Sequence, residues 1–191
     1  MLAVAAQIAP RIEWRQGTAE ALPYPDQRFD AVVSQFGLMF FVDRPKALRE
    51  MTRVLKRGGR LALAVWASLE SASAYAAEVA LLERLAGRHA ADALRAPFVL
   101  GDPEELAELV AGATAEDVTA TTEPGAALFP SVRFMVEADL RGWLPLMGVA
   151  LTEDQIHRIL REAEQALGAY VTGDGTMAFE LAAHIVSGTK S

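Results

Sequence analysis

The sequence predicts an α/β fold built around a parallel strand–helix–strand unit, and three observations predict it. The stretch FDAVVSQF, residues 29–36, is a near-continuous apolar run rich in β-branched residues. Such runs suit strands buried on both faces of a parallel sheet. Ala47, Leu48, Met51, Val54 and Leu55 then fall on one helical face at the i, i+4, i+7 spacing. A second buried run, RLALAVW, follows at residues 60–66. The whole is long enough for the right-handed crossover that joins parallel neighbours.

Local signals place the ends of the elements. Asp43 is a candidate N-cap, with Pro45 in the first turn of the helix it opens. The RGG of residues 57–59 closes that helix, Gly58 taking the left-handed conformation a C-terminal cap requires. Upstream, residues 1–9 read as a helix that stops at Pro10, because the residue before a proline is pushed out of the α region. Residues 12–15 alternate, with Ile12 and Trp14 on one face, and predict a short strand ending at Gly17. The proline-rich ALPYPDQ that follows is a loop.

Downstream of Trp66 the pattern turns helical. Residues 71–88 are rich in alanine and leucine, and Asp102-Pro103-Glu104-Glu105 opens a helix with capping-box spacing. Thr152 with Gln155 repeats that spacing ahead of Ile156, Ile159, Leu160, Ala163 and Leu167 on one face. Residues 118–122 predict a strand, 124–131 a loop, and 133–148 a helix broken near Pro145. Residues 177–187, MAFELAAHIVS, predict one long closing strand.

Bulk properties narrow the function classes. A chain of 191 residues can bury one sizeable core and reads as a single domain over 1–191 with helical additions. A net charge of −7 argues against the basic footprint of a nucleic-acid binder. With no cysteine, thiolate metal sites, disulfides and cysteine nucleophiles are excluded. No apolar run reaches the length of a membrane span, and the first residues lack a signal-peptide pattern, so a cytoplasmic protein is expected.

Three stretches, GTAEALPYPDQRFDAVVSQFGLMFF, DRPKALREMTRVLKRGGRLALAVW and MAFELAAHIVSGTK, together resemble a family. They look like a class I S-adenosylmethionine-dependent methyltransferase of the ubiquinone/menaquinone-biosynthesis type. The resemblance implies a Rossmann-like sheet of strand order 3-2-1-4-5-7-6, with the cofactor above the carboxyl ends of its inner strands. Mapped by resemblance, residues 12–15 are the family's third strand, 29–36 its fourth and 60–66 its fifth. The 118–122 and 177–187 strands take the sixth and seventh places. The family's first strand with its glycine-rich loop, the next helix, and the second strand with its ribose-binding acid have no counterpart here, so the sheet is expected to be N-terminally truncated. Losing both inner strands would leave the third and fourth about 14 Å apart at roughly 4.8 Å per strand. An open buried edge is costly. Either residues 12–15 move in beside residues 29–36, or a second copy of the chain closes the sheet as a homodimer.

The resemblance also assigns candidate cofactor contacts. Met1 takes the place of a methionine that packs on the adenine. Thr18, Ala19 and Glu20 form the loop beside the adenine, Thr18 standing where relatives carry an aspartate. Gln35 lies where backbone receives the cofactor's amino group, with Leu38 packed nearby. Beside this, Thr18 reads equally as a polar turn residue and Gln35 as a polar strand end. Phe36, Met39, Phe40 and Phe41 are either a core patch or an apolar substrate wall.

His89, at a helix end where a cation suits the dipole, His157 on a charged helical face and His184 in the last strand all read as structural. No pair of them has metal-ligand spacing, so no metal is expected. No catalytic base stands out, and the helical stretches 71–113 and 133–168, expected to form a lid, show no polar constellation diagnostic of an acceptor. Two functions follow. One is a methyltransferase fragment acting on a small, partly apolar molecule with S-adenosylmethionine. The other is a cofactor-free remnant serving as a binding or dimerising domain. In either case, weak or absent cofactor binding is expected of this chain.

Overall fold

The structure, a computed structural model, describes residues 2–113 and 115–191. It opens with α1 (Leu2–Ile8), β1 (Phe29–Gln35), α2 (Arg44–Val54) and β2 (Leu55–Trp66). Three helices follow, α3 (Ser73–Ala86), α4 (Arg88–Arg95) and α5 (Pro103–Ala111), then β3 (Ala115–Glu123) and β4 (Ala126–Phe129). The last part holds α6 (Val132–Ala138), the short α7 (Leu144–Leu146), α8 (Glu153–Ala166), β5 (Met177–Glu180) and β6 (Ala183–Lys190).

The main sheet has the order β1-β2-β6-β3, with β1 and β2 parallel and the other two pairings antiparallel. This is the 4-5-7-6 end of the order expected by resemblance, and the α/β class stands. A separate ribbon pairs β4 with β5.

Residues 12–15 are not a strand. They are exposed, with Ile12 54% and Trp14 40% accessible, and the Trp14 Nε1 donates to the Ala9 carbonyl at 3.1 Å. Alternation alone makes no strand without a neighbour to share its ladder. Among the described residues no strand lies against the outer edge of β1, so residues 12–15 have not moved in beside it. Val33, just past the middle of that strand, is 75% exposed.

Other expected boundaries shift for physical reasons. Helix α2 ends at Val54, and Gly58, at φ +72°, lies inside β2 rather than in a helix cap. It serves a bulge there, since Phe29 pairs with Leu55 but Ala31 with Arg60. The expected loop 124–131 contains β4, and the expected closing strand divides in two. The Leu181 N–H donates to Gly125 and the Ala182 carbonyl accepts from Ala67, so the chain changes sheets at that step. The helix from Val132 breaks before Pro145, in a π turn over Asp139–Trp143 closed by Leu144 N–H on the Asp139 carbonyl. Proline has no N–H for the regular ladder and crowds the carbonyl four residues back, which favours the wider turn.

Capping was legible. Asp43 accepts from the Lys46 N–H, Asp102 from those of Glu104 and Glu105, and Thr152 with Gln155 forms a reciprocal capping box. Each such cap stabilises its helix by about 1 kcal/mol. His89 lies in the first turn of α4, not at a carboxyl end, where the dipole would oppose a cation.

Two apolar clusters form the interior. Leu48, Met51, Leu61, Leu63, Val65 and Val186 join α2 to the sheet, and α5 adds Leu106 and Val110 on the same side. The stretch expected as a lid therefore divides, because α5 covers the sheet. Leu82, Leu94, Met135, Leu140, Ile159 and Phe179 build the second cluster between the remaining helices and the β4–β5 ribbon. Each fully buried leucine contributes about 2 kcal/mol through apolar burial.

Candidate functional site

The two clusters meet above the shared carboxyl ends of β1 and β2, and a cavity of about 220 Å³ lies at that seam. Phe36 follows β1 and Trp66 ends β2, and their rings stack at 3.9 Å with a 15° tilt. Phe36 sits at φ +52°, in the left-handed region that a bulky side chain avoids. Such a conformation costs about 1–3 kcal/mol. It is held by the Phe36 N–H on the Ala64 carbonyl at 2.9 Å and by the stacked ring.

Helical residues close the other side. Phe40 meets Trp143 at 5.3 Å between ring centroids, and Tyr75 meets Phe98 at 5.4 Å. The indole N–H of Trp143 donates to the Ala93 carbonyl at 2.9 Å, which fixes the ring on the π turn. Of the expected aromatic patch, Phe36 and Phe40 line this cavity, while Met39 is buried beside Leu38 in the sheet cluster.

Two acids accompany the aromatics. Asp139, the first residue of the π turn, lines the cavity, and its Oδ2 is buried without a partner among the described residues. Burial raises its carboxyl to about 7. Glu78, one turn beyond Tyr75 on α3, is 0% exposed, and neither of its oxygens has a hydrogen-bond partner among the described residues. Burial first, and then the neighbouring Asp139, pushes Glu78 well above the ordinary carboxylate range. The same two acids add to burial in raising the Tyr75 phenol. The site can therefore hold protons at neutral pH inside an apolar, aromatic enclosure.

None of Tyr75, Glu78, Asp139 and Trp143 is among the residues expected from the sequence, whose helical stretches show no polar constellation diagnostic of an acceptor. A signal was present. Ala74, Glu78, Leu81 and Leu82 share the buried face of α3, and Val132, Met135, Val136 and Asp139 share that of α6 and its π turn. Each acid interrupts an apolar stripe.

The expected cofactor contacts lie elsewhere, around a groove of about 270 Å³ beside the open edge of β1. Thr18 and Ala19 line it with Arg15, Val33, Ser34 and Phe41. Glu20 does not line it, since its Oε1 accepts from the N–H groups of Val42 and Asp43. Gln35 is exposed at the end of β1, and Leu38 is 0% exposed within the sheet cluster. Met1 lies outside the described residues.

A nucleoside sulfonium cofactor does not fit this groove as a whole. The Thr18 hydroxyl and apolar walls suit an adenine edge, but among the described residues no carboxylate lines the groove to receive ribose hydroxyls. The nearby Glu20 is already committed. Among the described residues no cluster of three or more histidines and acids is placed to hold a metal, and no helix is long and apolar enough to cross a membrane.

Comparison with known proteins adds to this geometry. Residues 1–63 match a family described as a methyltransferase domain. Over 54 residues the chain is 54% identical to the ubiquinone/menaquinone biosynthesis C-methyltransferase UbiE of Cronobacter sakazakii, covering 28% of this chain and 22% of that protein. The chain thus spans about a fifth of the length of such curated relatives. Among solved structures, YcgJ of Bacillus subtilis superposes with a TM-score of 0.58 at 21% identity, over 100% of this chain and 78% of YcgJ. The [4+2]-cyclase SpnF gives 0.55 at 19% identity, over 99% of this chain and 62% of SpnF. Likeness at these identities is a likeness of fold.

Proposed function

We propose that this chain, whose fold is that of the class I S-adenosylmethionine-dependent methyltransferases, binds and shapes the acceptor of a methyl-transfer reaction. The observation that carries the reading is the aromatic cavity above the shared carboxyl ends of β1 and β2, where open α/β sheets place their ligands. Methyl transfer depends above all on positioning, so an enclosure that orients a ring is a substantial part of the apparatus. The acceptor is a small, partly apolar molecule with a ring. The ring chemistry in the name of the curated relatives agrees with that.

On the donor side, Thr18 and Ala19 are the groups of this chain suited to an adenine edge, and Gln35 stands at the strand end nearby. Glu20 supports the groove by holding residues 42–43, and Leu38 supports it from the core. Calorimetry tests both sides. Phenol is expected to bind the chain and to lose that binding in Trp66→Ala, while S-adenosylmethionine gives no micromolar isotherm. Absence of phenol binding would sink the acceptor reading, and micromolar cofactor binding would sink the account of the groove.

A second reading rests on the open edge of β1. Val33 is 75% exposed, and Val4 at 57% and Ile8 at 79% leave α1 without a buried residue. A second copy of the chain pairing along β1 would cover this surface, since an open strand edge is a template for another strand. Light scattering after gel filtration then reads a dimer, and Val33→Lys returns it to a monomer. A monomeric mass at all concentrations removes this reading.

A further inference from the structure

The cavity contains more charge chemistry than an apolar acceptor needs. Six of its lining residues are aromatic: Phe36, Phe40, Trp66, Tyr75, Phe98 and Trp143. Asp139 opens into it, with Glu78 within electrostatic reach behind. Three carboxylate oxygens of this pair are buried and have no hydrogen-bond donor among the described residues. Buried acids normally have partners, and each missing donor costs stability.

Among the described residues no cation is paired with these acids. Arg141, on the same π turn as Asp139, is paired with Glu137 and Glu153. Across the neighbouring helices, Arg95 is held by Glu83 and Asp92, and Arg84 by Glu162. The titratable groups acting on one another at the cavity are Tyr75, Glu78 and Asp139. Asp139 facing aromatic rings, backed by Glu78 and without a paired cation among the described residues, lacks what an organic ammonium brings. Its N–H groups satisfy the orphaned Asp139 oxygen, its charge neutralises the Asp139 carboxylate, and the ring faces attract it further.

We infer that the cavity is built for an acceptor carrying a primary or secondary ammonium on a small ring-bearing body, with Asp139 holding the nitrogen, Glu78 buried behind it, and the aromatic residues enclosing the rest. Size agrees. A cavity of about 150 Å³ accommodates benzene, and the 220 Å³ here leaves room for a ring and a short amine-bearing arm. The inference rests on the acceptor reading given above and names its substrate class. It also makes binding pH-dependent in a definite direction. When the pair holds protons its charge is absent, so the ammonium preference grows as pH rises through the range where Asp139 ionises, about 7.

Two probes of similar shape test this, phenethylamine as the cation and phenethyl alcohol as its neutral counterpart. Both are followed through the fluorescence of Trp66 and Trp143. The amine stays protonated from pH 5 to pH 8, because alkylammonium groups titrate near 10. At pH 8 the amine is expected to bind at least tenfold tighter than the alcohol, with the ratio falling toward one at pH 5. Asp139→Asn combined with Glu78→Gln is expected to abolish the ratio while retaining alcohol binding. Equal binding of the two probes to the unmodified chain at pH 8 overturns the inference and leaves the acceptor cavity standing. So does an undiminished ratio in the folded double variant. Binding of neither probe overturns both. The pH comparison needs no variant, so it stands even if the substitutions impair folding.

Discussion

Replacing Glu78 with glutamine is expected to raise the thermal unfolding midpoint at pH 8 and to leave it nearly unchanged at pH 4. The side chain is 0% exposed, with neither oxygen hydrogen-bonded among the described residues. Its carboxyl is raised by burial and then by Asp139, so the native state keeps a proton that the unfolded chain releases. For a group raised on folding, the stability it contributes is fully present below the unfolded value and is lost as pH rises. A glutamine has no proton to lose and stays neutral across this pH range. The expected gain at pH 8 is about 2 kcal/mol. An equal or lower midpoint at pH 8 would show that the pocket tolerates the charge.

The same linkage shapes the whole pH profile. Asp139, raised from 3.8 to about 7, removes stability as pH climbs between those values. Glu50 and Asp174 act in the opposite sense. Hydrogen bonds from Arg53 hold the first down to about 2, and those from Thr172 and Thr176 do the same for the second. Their contribution is present above the ordinary carboxylate values and is lost as pH falls toward 2. The contribution of these groups is therefore greatest where the two windows overlap, at about pH 4.

What the sequence disclosed was local or periodic. The caps at Asp43, Asp102 and Thr152 depend on residues two or three apart, and all three are present. The strand–helix–strand unit declared itself because β1, α2 and β2 each carry their own apolar pattern. Elements defined by a distant partner were hidden. The four residues of β4 are a strand only because β5 lies alongside, Ala126 pairing with Glu180 and Phe129 with Met177. Conversely, Ile12 and Trp14 alternate correctly but have nothing to pair with.

The site divides along the same line. Phe36 and Phe40 were visible as a cluster in sequence, whereas their companions Trp66, Tyr75, Phe98 and Trp143 arrive from four other segments. Glu78 and Asp139 were the recoverable omission. A charge at i+4 from one buried residue and i−4 from another belongs inside, and on α3 that describes Glu78 between Ala74 and Leu82. No such rule finds the pairing of Glu78 with Asp139, because the two are brought together only when α3 packs near the π turn.

The other large effect is expected at Arg53, whose replacement by alanine should cost about 3 kcal/mol and release residues 18–28. The guanidinium binds both oxygens of Glu50, at 2.6 and 2.8 Å, and Asp26 at 2.7 Å. It also donates to the carbonyls of Tyr24 and Leu22, and the Leu22 N–H returns a bond to Glu50. One side chain on α2 thus ties down the loop that carries Thr18 and Ala19 to the groove. Arg53→Lys keeps the charge but not the planar fork, and should recover only a minor part of the loss. A glutamate-specific endoproteinase acting after Glu20 reads the local release, and denaturant unfolding reads the total. Glu50 is held down to about 2, so in the unmodified chain the network persists to mild acid and yields only as pH falls toward that value. If Arg53→Ala unfolds at the same denaturant concentration and resists cleavage equally, the loop is held by apolar contacts such as the packing of Tyr24 on Phe29, and the groove does not depend on Arg53.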